Sequence, residues 1–401
     1  MVAYTRGLTR VRGAAFDFAQ AREAPRLRRS ESKSRPESPS LNPESRIPDP
    51  RLALHDPCII CRMPLVDALG RPLRSLRVSV TDRCNLRCEY CMPEQEYVWL
   101  PRDDLLHFEE LNRLVDVFVD LGVDKIRLTG GEPLLRRDLP QLVELLARKP
   151  LQDLALTTNA MLLDEFAAPL KRAGLRRLNI SLDTLQPARF LQLTRQNDHA
   201  RVMRGINAAS RLFPGTKLDA VIMRGVNDDE LEPLLDYGAS IGAEVRFIEY
   251  MDVGGATRWR SETVVPRREL IERLTTRFGA VTAIEEPGST APADRYALPD
   301  GRLFGIISST TEPFCRDCDR ARITADGVFF TCLYATDGLA LREPMRQGAS
   351  PKTMAALVEE RWTARRDRGA EERVEVRDRT VYIPVATLRE HPHLEMHKRG
   401  G

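Results

Sequence analysis

The chain is poor in histidine and in net charge, and each shortage excludes something. Its 401 residues include six histidines, at 55, 107, 199, 391, 393 and 397. None of them falls inside a cysteine motif, which counts against a histidine-ligated catalytic zinc. The net charge is only +3, although 30% of residues are charged. That is too mild for a nucleic-acid-binding surface, yet it leaves room for a few arginines gathered in one pocket. No apolar run approaches the roughly 18 residues of a membrane span, and the first residues contain no apolar core of a secretory signal. Neither nucleic acid nor membrane is therefore expected as a partner, and a cytoplasmic location is. The eight cysteines stand in tight local groups, which reads as ligand sets in a reducing compartment rather than a disulfide framework.

Residues 1–62 differ from the rest. The stretch AREAPRLRRSESKSRPESPSLNPESRIPDPR is rich in Arg, Ser, Glu and Pro, with too little to bury to offset its ordering entropy. A disordered N-terminal extension is expected, and Met63 as a start site is a hypothesis that loss of activity on deleting 1–62 would refute. Cys58 and Cys61 form a C-x2-C pair there with no assigned role. From Leu76 onward, short β-rich runs (LRVSVT, KIRLTGG, DLALTTN, RRLNISLD, KLDAVIMRG, EVRFIEYM) alternate with helical periodicity. In FEELNRLVDVFVDLG, for example, Phe108, Leu111, Leu114, Val115 and Phe118 share one face. Six such units predict an α/β fold with parallel βαβ connections over residues 63–255. Function is then expected in the loops after the strands. Residues 256–401, with a helix (RRELIERLTTRFG), several short strands and a late polar amphipathic helix (PKTMAALVEERWTARRDRG), are expected to form a mixed α+β domain.

Two cysteine groups carry the chemistry. Cys84, Cys88 and Cys91 lie in TDRCNLRCEYCMP with spacing C-x3-C-x2-C. Structural zinc takes four closed ligands and a cubane iron–sulfur cluster also prefers four. Three thiolates on a cubane leave one iron open to an exogenous molecule. Cys315, Cys318 and Cys332, spaced C-x2-C-x13-C, again number three, and there a zinc site with a recruited fourth ligand stays open as the rival reading. One βα unit after the first group, TGGEP places Gly130, Gly131 and Glu132 at a strand end; alone, this is a tight turn. Arg320 and Arg322 alternate along CDRARIT, so in a strand they share a face, and planar guanidiniums suit phosphate oxygens.

The first spacing, with Tyr90 just before the last cysteine, resembles the radical S-adenosylmethionine (radical SAM) superfamily. Two incomplete triads in one chain, with SVTDRCNLRCEYCMP, DKIRLTGGEPLLRRD, LNISLDTL, VIMRGVNDDE, VRFIEYMDVG, CRDCDRARITADG and the final Gly-Gly in order, resemble the GTP 3′,8-cyclases of molybdenum-cofactor biosynthesis. The resemblance spans nearly all of 63–401. It implies a partial (β/α)6 TIM-type barrel, with a C-terminal α+β domain carrying a second Fe–S cluster. Two [4Fe-4S] clusters are implied, on Cys84, Cys88 and Cys91 and on Cys315, Cys318 and Cys332, with SAM chelating the open iron of the first. It assigns Tyr90, Gly131, Ser181 and Met251 to SAM, Tyr90 through its backbone, and Arg77, Arg127, Thr157, Lys217, Arg320 and Arg322 to GTP. The implied activity is a lyase reaction: a 5′-deoxyadenosyl radical removes the 3′ hydrogen of GTP, and the carbon radical closes onto guanine C8. Implied partners are GTP, an external electron donor, a downstream cyclic pyranopterin monophosphate synthase and a second copy in a homodimer. The alternative is another radical SAM enzyme with an auxiliary cluster, such as a peptide-modifying maturase, for which a larger C-terminal cysteine set is expected. Three features depart from the family pattern, the Cys58 and Cys61 pair, which has no family counterpart, being one. Ala160 in TTNA stands where glycine is usual, and a basic His397-Lys398-Arg399 leads into Gly400-Gly401 where an apolar lead-in is expected.

Overall fold

The computed structural model describes residues 64–400; the expectations for residues 1–62, Cys58, Cys61, Met63 and Gly401 lie outside the described residues. All of the described residues fall in one compact unit, Ile60–Gly401. Six parallel strands stand side by side in chain order: β1 (Ser75–Ser79), β2 (Lys125–Thr129), β3 (Asp153–Thr158), β4 (Arg177–Ser181), β5 (Lys217–Ile222) and β6 (Glu244–Glu249). The helices between them are α1 (Phe108–Asp120), α2 (Leu139–Ala147), α3 (Leu163–Arg172), α4 (Pro187–Thr194), α5 (His199–Ser210) and α6 (Leu231–Ser240). Five of these helices are those the periodicity predicts. The short α4, shared within the β4–β5 connection, is additional.

Side-chain alternation sorts the two faces of the sheet. Leu76, Val78, Ile126, Leu128, Leu154, Leu156, Leu178, Ile180 and Leu218 are buried with Leu111, Leu114 and Phe118 of α1 in one helix-side core. Each such side chain contributes roughly 1.5–3 kcal/mol on burial. Because strand residues alternate between faces, Arg77, Arg127, Thr157, Asn179, Ser181 and Asp219 are turned to the other, concave side, where they line a cavity.

The segment after residue 255 extends this sheet at both edges. After α7 (Arg267–Phe278) come β7 (Thr282–Ile284), β8 (Asp294–Ala297), β9 (Leu303–Ile307), β10 (Arg320–Ile323), β11 (Val328–Phe330) and β12 (Leu339–Ala340). β9 pairs in parallel with β6, and β8 and β7 follow outward. At the other edge β10 pairs in parallel with β1, followed by β11 and β12. The outcome is a 12-stranded sheet in which the second cysteine group flanks the first strand of the barrel. Phe329 of β11 sits edge-on to Phe118 of α1, with ring centroids 5.3 Å apart, which ties that edge to the helix layer.

Candidate active site

The first cysteine group occupies the loop after β1. Cys91 N–H and Met92 N–H both donate to the Cys88 carbonyl, at 3.0 and 2.7 Å, closing a tight turn. Arg87 and Glu89 donate to the carbonyls of Thr194 and Leu193 at the end of α4, each at 3.0 Å. The GGE turn closes the opposite side: Gly131 N–H donates to Thr81 O (2.9 Å) and Glu132 N–H to Arg83 O (2.7 Å). A Cβ on Gly131 would collide with the Arg83 carbonyl, so glycine is required for the two loops to meet. Glu132 is buried, and its carboxylate accepts from Leu134 N (3.0 Å), Thr158 Oγ1 (2.8 Å) and Asn159 N (2.8 Å). Burial outweighs these bonds and pushes its pKa up to about 7.

Tyr90 does more than its backbone assignment suggests. Its hydroxyl donates to Asp183 Oδ2 at 2.9 Å, while Val221 N–H donates to Asp183 Oδ1 at 2.9 Å. The cysteine loop is thereby pinned to the ends of β4 and β5. Burial raises the Asp183 pKa to about 6.

The second group lies on the loop before β10 and on the strand end after β11. Leu86 N–H points at Cys84 Sγ (3.5 Å), and Tyr334 N–H points at Cys332 Sγ (3.4 Å), the donor arrangement that tunes a ligated sulfur. Burial pushes the thiols of Cys84 and Cys332 up to about 11, with Glu132 and Asp367 adding to it, and also raises Cys88 and Cys91 well above the usual thiol range. Cys318 differs: burial opposes ionisation, but the guanidiniums of Arg320 and Arg365 outweigh it and bring the thiol down to about 6. Arg320 Nη2 also lies 3.5 Å from Cys318 Sγ. All six cysteines are free and partly buried. Each set supplies three free thiols to one cavity, one short of the four closed ligands of a structural zinc, a donor set that fits a pair of thiolate-bound clusters with one open iron each.

Between the two groups lies a row of guanidiniums. Arg77 on β1 is in register with Arg127 on β2 and with Arg322 on β10, so the three stand side by side on the cavity face. Burial, then the neighbouring Arg322, Arg127 and Arg320, holds Arg77 well below the usual arginine range. Burial brings Arg127 and Arg322 down to about 10. So much unneutralised positive charge inside a fold is costly unless an anion is bound there.

One cavity brings together Cys84, Cys88, Cys91, Cys315, Cys318 and Cys332 with Tyr90, Gly131, Ser181, Met251, Arg77, Arg127, Thr157, Arg320 and Arg322. Lys217 is the exception. It faces the same side of β5 at its first residue, where its ammonium lies 3.5 Å from Glu244, outside the cavity lining. The cavity also holds residues given no role from the sequence: Asn179, Asp183 and Arg246, inside the LNISLDTL and VRFIEYMDVG runs, and Asp219. Register is the signal that finds them, since Arg246 pairs with Asp219 across β5 and β6. Buried Asp252, beside Met251, accepts from the Tyr334 hydroxyl (2.9 Å), from Arg373 Nε (2.7 Å) and from Arg379 Nη2 (2.6 Å), fastening the segment beyond Cys332 to the barrel mouth.

Residues 78–238 match the Radical SAM superfamily, and residues 243–371 match Molybdenum Cofactor Synthesis C. The chain is 52% identical over 344 residues to GTP 3′,8-cyclase 3 of Mycobacterium bovis, covering 84% of this chain and 91% of that one. It is 50% identical over 370 residues to GTP 3′,8-cyclase 1 of Mycobacterium tuberculosis, covering 91% and 99%. The chain belongs to the GTP 3′,8-cyclase family. A third relative, the GTP 3′,8-cyclase of Acidothermus cellulolyticus, is 48% identical over 321 residues, covering 77% and 88%. Among solved structures, Streptococcus suis SuiB bound to S-adenosylmethionine aligns with a TM-score of 0.51 at 16% identity, covering 68% of this chain and 64% of that one, a likeness of fold alone.

Proposed function

We propose that this protein is a GTP 3′,8-cyclase, a radical SAM lyase converting GTP to 3′,8-cyclo-7,8-dihydro-GTP at the first step of molybdenum-cofactor biosynthesis. The observation that carries the reading is one cavity with a cysteine triad at each end and a row of arginines between them. The enzyme uses SAM and two [4Fe-4S] clusters, which Cys84, Cys88 and Cys91 and Cys315, Cys318 and Cys332 would hold. What the first cluster and SAM supply when bound is a 5′-deoxyadenosyl radical able to remove hydrogen from C3′ of the substrate ribose.

The chain's own residues do the rest. Arg77, Arg127 and Arg322 would bind the triphosphate, since they stand side by side on adjacent strands facing the cavity and Asp219 offsets the charge of Arg77 and Arg127 only in part. Arg320, closer to Cys318, would serve the phosphate end or the second cluster's sulfur. Tyr90 and Asp183 would hold the first cysteine loop in place, and Gly131, Ser181 and Met251 would border SAM. Fixing guanine against one triad and the triphosphate against the arginines holds C3′ and C8 together, the kind of placement that replaces lost entropy with binding. Residues 63–255 and 256–401 would then divide the labour between radical generation and substrate placement. An external one-electron donor, a downstream synthase, a homodimer and a cytoplasmic location belong to the same proposal; among the described residues no helix is long and apolar enough to cross a membrane.

The deciding experiment is anaerobic reconstitution with iron and sulfide, then incubation with SAM, GTP and dithionite. Formation of 5′-deoxyadenosine together with the 3′,8-cyclised nucleotide is expected. SAM cleavage without GTP consumption would refute the substrate, and no cleavage at all would refute the class.

A further inference from the structure

The second cysteine group is backed by a buried ion network whose three members receive no role from the sequence. Asp67, Arg71 and Arg365 are each 5% exposed or less. Asp67 and Arg71 lie in the short turn leading into β1, and Arg365 follows the helix Pro351–Thr363. Asp67 Oδ1 accepts from the backbone N–H groups of Leu69 and Arg71, both at 2.9 Å. Its Oδ2 accepts from Arg71 Nε at 2.6 Å and lies 3.6 Å from Arg365 Nη1, so two guanidiniums share one carboxylate. Ala68 N–H donates to Arg365 O and Trp362 Nε1 to Arg71 O, each at 3.3 Å, which fastens the turn to that helix.

The network reaches all three cysteines of the group. Arg71 Nη1 donates to the carbonyls of Cys315 (3.0 Å) and Asp367 (2.9 Å). Arg365 Nη1 donates to Cys318 O at 2.9 Å, and its Nε to Asp367 Oδ1 at 3.2 Å. Asp367 Oδ2 in turn accepts from the hydroxyl of Thr331, the residue before Cys332, at 2.8 Å. These bonds use only part of each fork: Arg71 Nη2 and Arg365 Nη2 are buried and have no hydrogen-bond partner among the described residues. With Arg320, whose Nη2 lies 3.5 Å from Cys318 Sγ, the network sets three cations against two carboxylates. Buried cations that are only partly compensated are costly unless an anion lies against them. A cubane on three thiolates is such an anion. It gains one more negative charge on taking up an electron, and nearby charge is one of the levers that set its potential.

We propose that Arg71 and Arg365 are positioning residues of the second cluster: they hold the Cys315 and Cys318 carbonyls in place and, through their charge, ease the cluster's one-electron reduction, with Asp67 setting how much of that charge is left. The inference rests on the reading that Cys315, Cys318 and Cys332 carry a cluster. It goes beyond that reading, since residues outside both cysteine motifs then decide how readily this cluster is reduced. The electron comes from the external donor, no bond forms or breaks, and the added charge stays on the cluster. Removing a unit charge a few ångströms from a partly buried redox centre shifts the reduced-to-oxidised ratio by about tenfold or more, which for a one-electron couple is about 59 mV.

The test is an anaerobic potentiometric measurement on the full-length enzyme with both clusters reconstituted, following the electron paramagnetic resonance signal of each. The signal that shifts on adding SAM belongs to the first cluster. Arg365→Met and Arg71→Met are expected to lower the second cluster's midpoint by about 59 mV or more, and Asp67→Asn to raise it by a similar amount. Arg365→Lys, which keeps the charge, should stay near the parent, and the first cluster's midpoint should not move in any of them. A merely structural role would shift the methionine variants and Asp67→Asn in the same direction or not at all, and either result would overturn the proposal. Where Arg365→Met loses the second cluster's iron, Arg365→Lys decides: retention there supports placement by the charged side chain, and loss in both overturns it. A parent enzyme that takes up iron for one cluster only would instead overturn the two-cluster reading and take this inference with it.

Discussion

Replacing Arg127 with methionine separates what the arginine row costs the fold from what it does for the substrate. Arg127 stands on β2 beside Arg77, and its hydrogen bond to Thr157 Oγ1 is long, at 3.3 Å. Burial, with Arg177 and Arg246 adding and Asp219 opposing, lowers its pKa from 12.5 to about 10. At about 1.4 kcal/mol per tenfold change in proton affinity, that corresponds to about 3 kcal/mol. Cavity water screens part of this, so about 1–2 kcal/mol is the better figure. The sign follows from the direction. A cation whose pKa is depressed by folding costs stability at every pH below about 10, and the cost fades only between about 10 and 12.5. Methionine fills a similar volume without charge. In the nucleotide-free protein, Arg127→Met should therefore raise the midpoint of thermal unfolding by about 2–4 °C, read by anaerobic calorimetry. The same change deletes a charged donor to the triphosphate, worth roughly 1.5–3 kcal/mol. GTP should bind about ten- to a hundredfold more weakly, and GTP should stabilise the variant correspondingly less. A variant that melts lower than the parent and still binds GTP normally would refute both halves of the reasoning.

Other perturbations separate the remaining assignments. Cys84→Ala should abolish formation of 5′-deoxyadenosine, whereas Cys332→Ala should retain some uncoupled SAM cleavage and lose the cyclised product; intact GTP turnover in Cys332→Ala would remove the second triad from substrate placement. Gly131→Ala should force the GGE turn off the Arg83 carbonyl, and iron analysis should show about half the parent's content, the loss confined to the first cluster; full occupancy would show that the two loops need not meet so closely. Glu132 and Glu395 are both raised to about 7, chiefly by burial. The folded state thus binds more protons than the unfolded one between about pH 4.5 and 7, and stability should fall as pH rises through that window. Denaturant titrations of Glu395→Gln should show a shallower fall, and an unchanged slope would mean that Glu395 is not the buried acid it resembles. Ala160 has φ +64°, a left-handed conformation that costs a non-glycine residue roughly 1–2 kcal/mol. Ala160→Gly relieves that strain while losing a buried methyl and adding unfolded-state entropy. Its stability should stay within about 1 kcal/mol of the parent, and a loss above about 2 kcal/mol would contradict that balance.

How much of the fold and the site is legible in the amino-acid sequence depends on how local each signal is. The cysteine triads and the GGE turn are short runs whose spacing already contains the chemistry, so both cysteine groups can be located from spacing alone. The βα units are legible because hydrophobic alternation and helical periodicity repeat within windows of ten to fifteen residues. The pairing of β10 with β1 is not, because it joins residues some 245 positions apart, Ser75 with Arg320 and Arg77 with Arg322, and no local pattern encodes a partner at that distance. Yet that pairing is what turns two arginines of CDRAR into neighbours of Arg77. Arg246 and Asp219 escape notice for a related reason. In EVRFIE and KLDAVI a single polar residue between apolar ones reads as an ordinary solvent-facing position, and here the face it points to is the interior of a partial barrel. Lys217 shares that face and shows the limit of parity. One residue-pair deeper along β5, the same orientation delivers it to Glu244 rather than to the cavity.

The basic lead-in illustrates the reverse error, in which composition suggests solvent and the fold supplies partners. Three consecutive basic residues near a chain end usually lie in water. Lys398 and Arg399 are buried here because the loops after both cysteine groups present unpaired carbonyls, at Val98, Leu333 and Ala335. Loops that must leave their cysteines free to bind a cluster cannot satisfy all their own backbone groups by regular structure, and a buried carbonyl without a donor is costly. Long cationic side chains reach such carbonyls from a distance, and Arg399, whose pKa burial lowers to about 9, offsets its desolvation by satisfying two of them and the His393 carbonyl. The departure from an apolar lead-in thus follows from the geometry of the two cysteine loops. Any substitution that removes these donors should free the loop carbonyls as well as the glycine end.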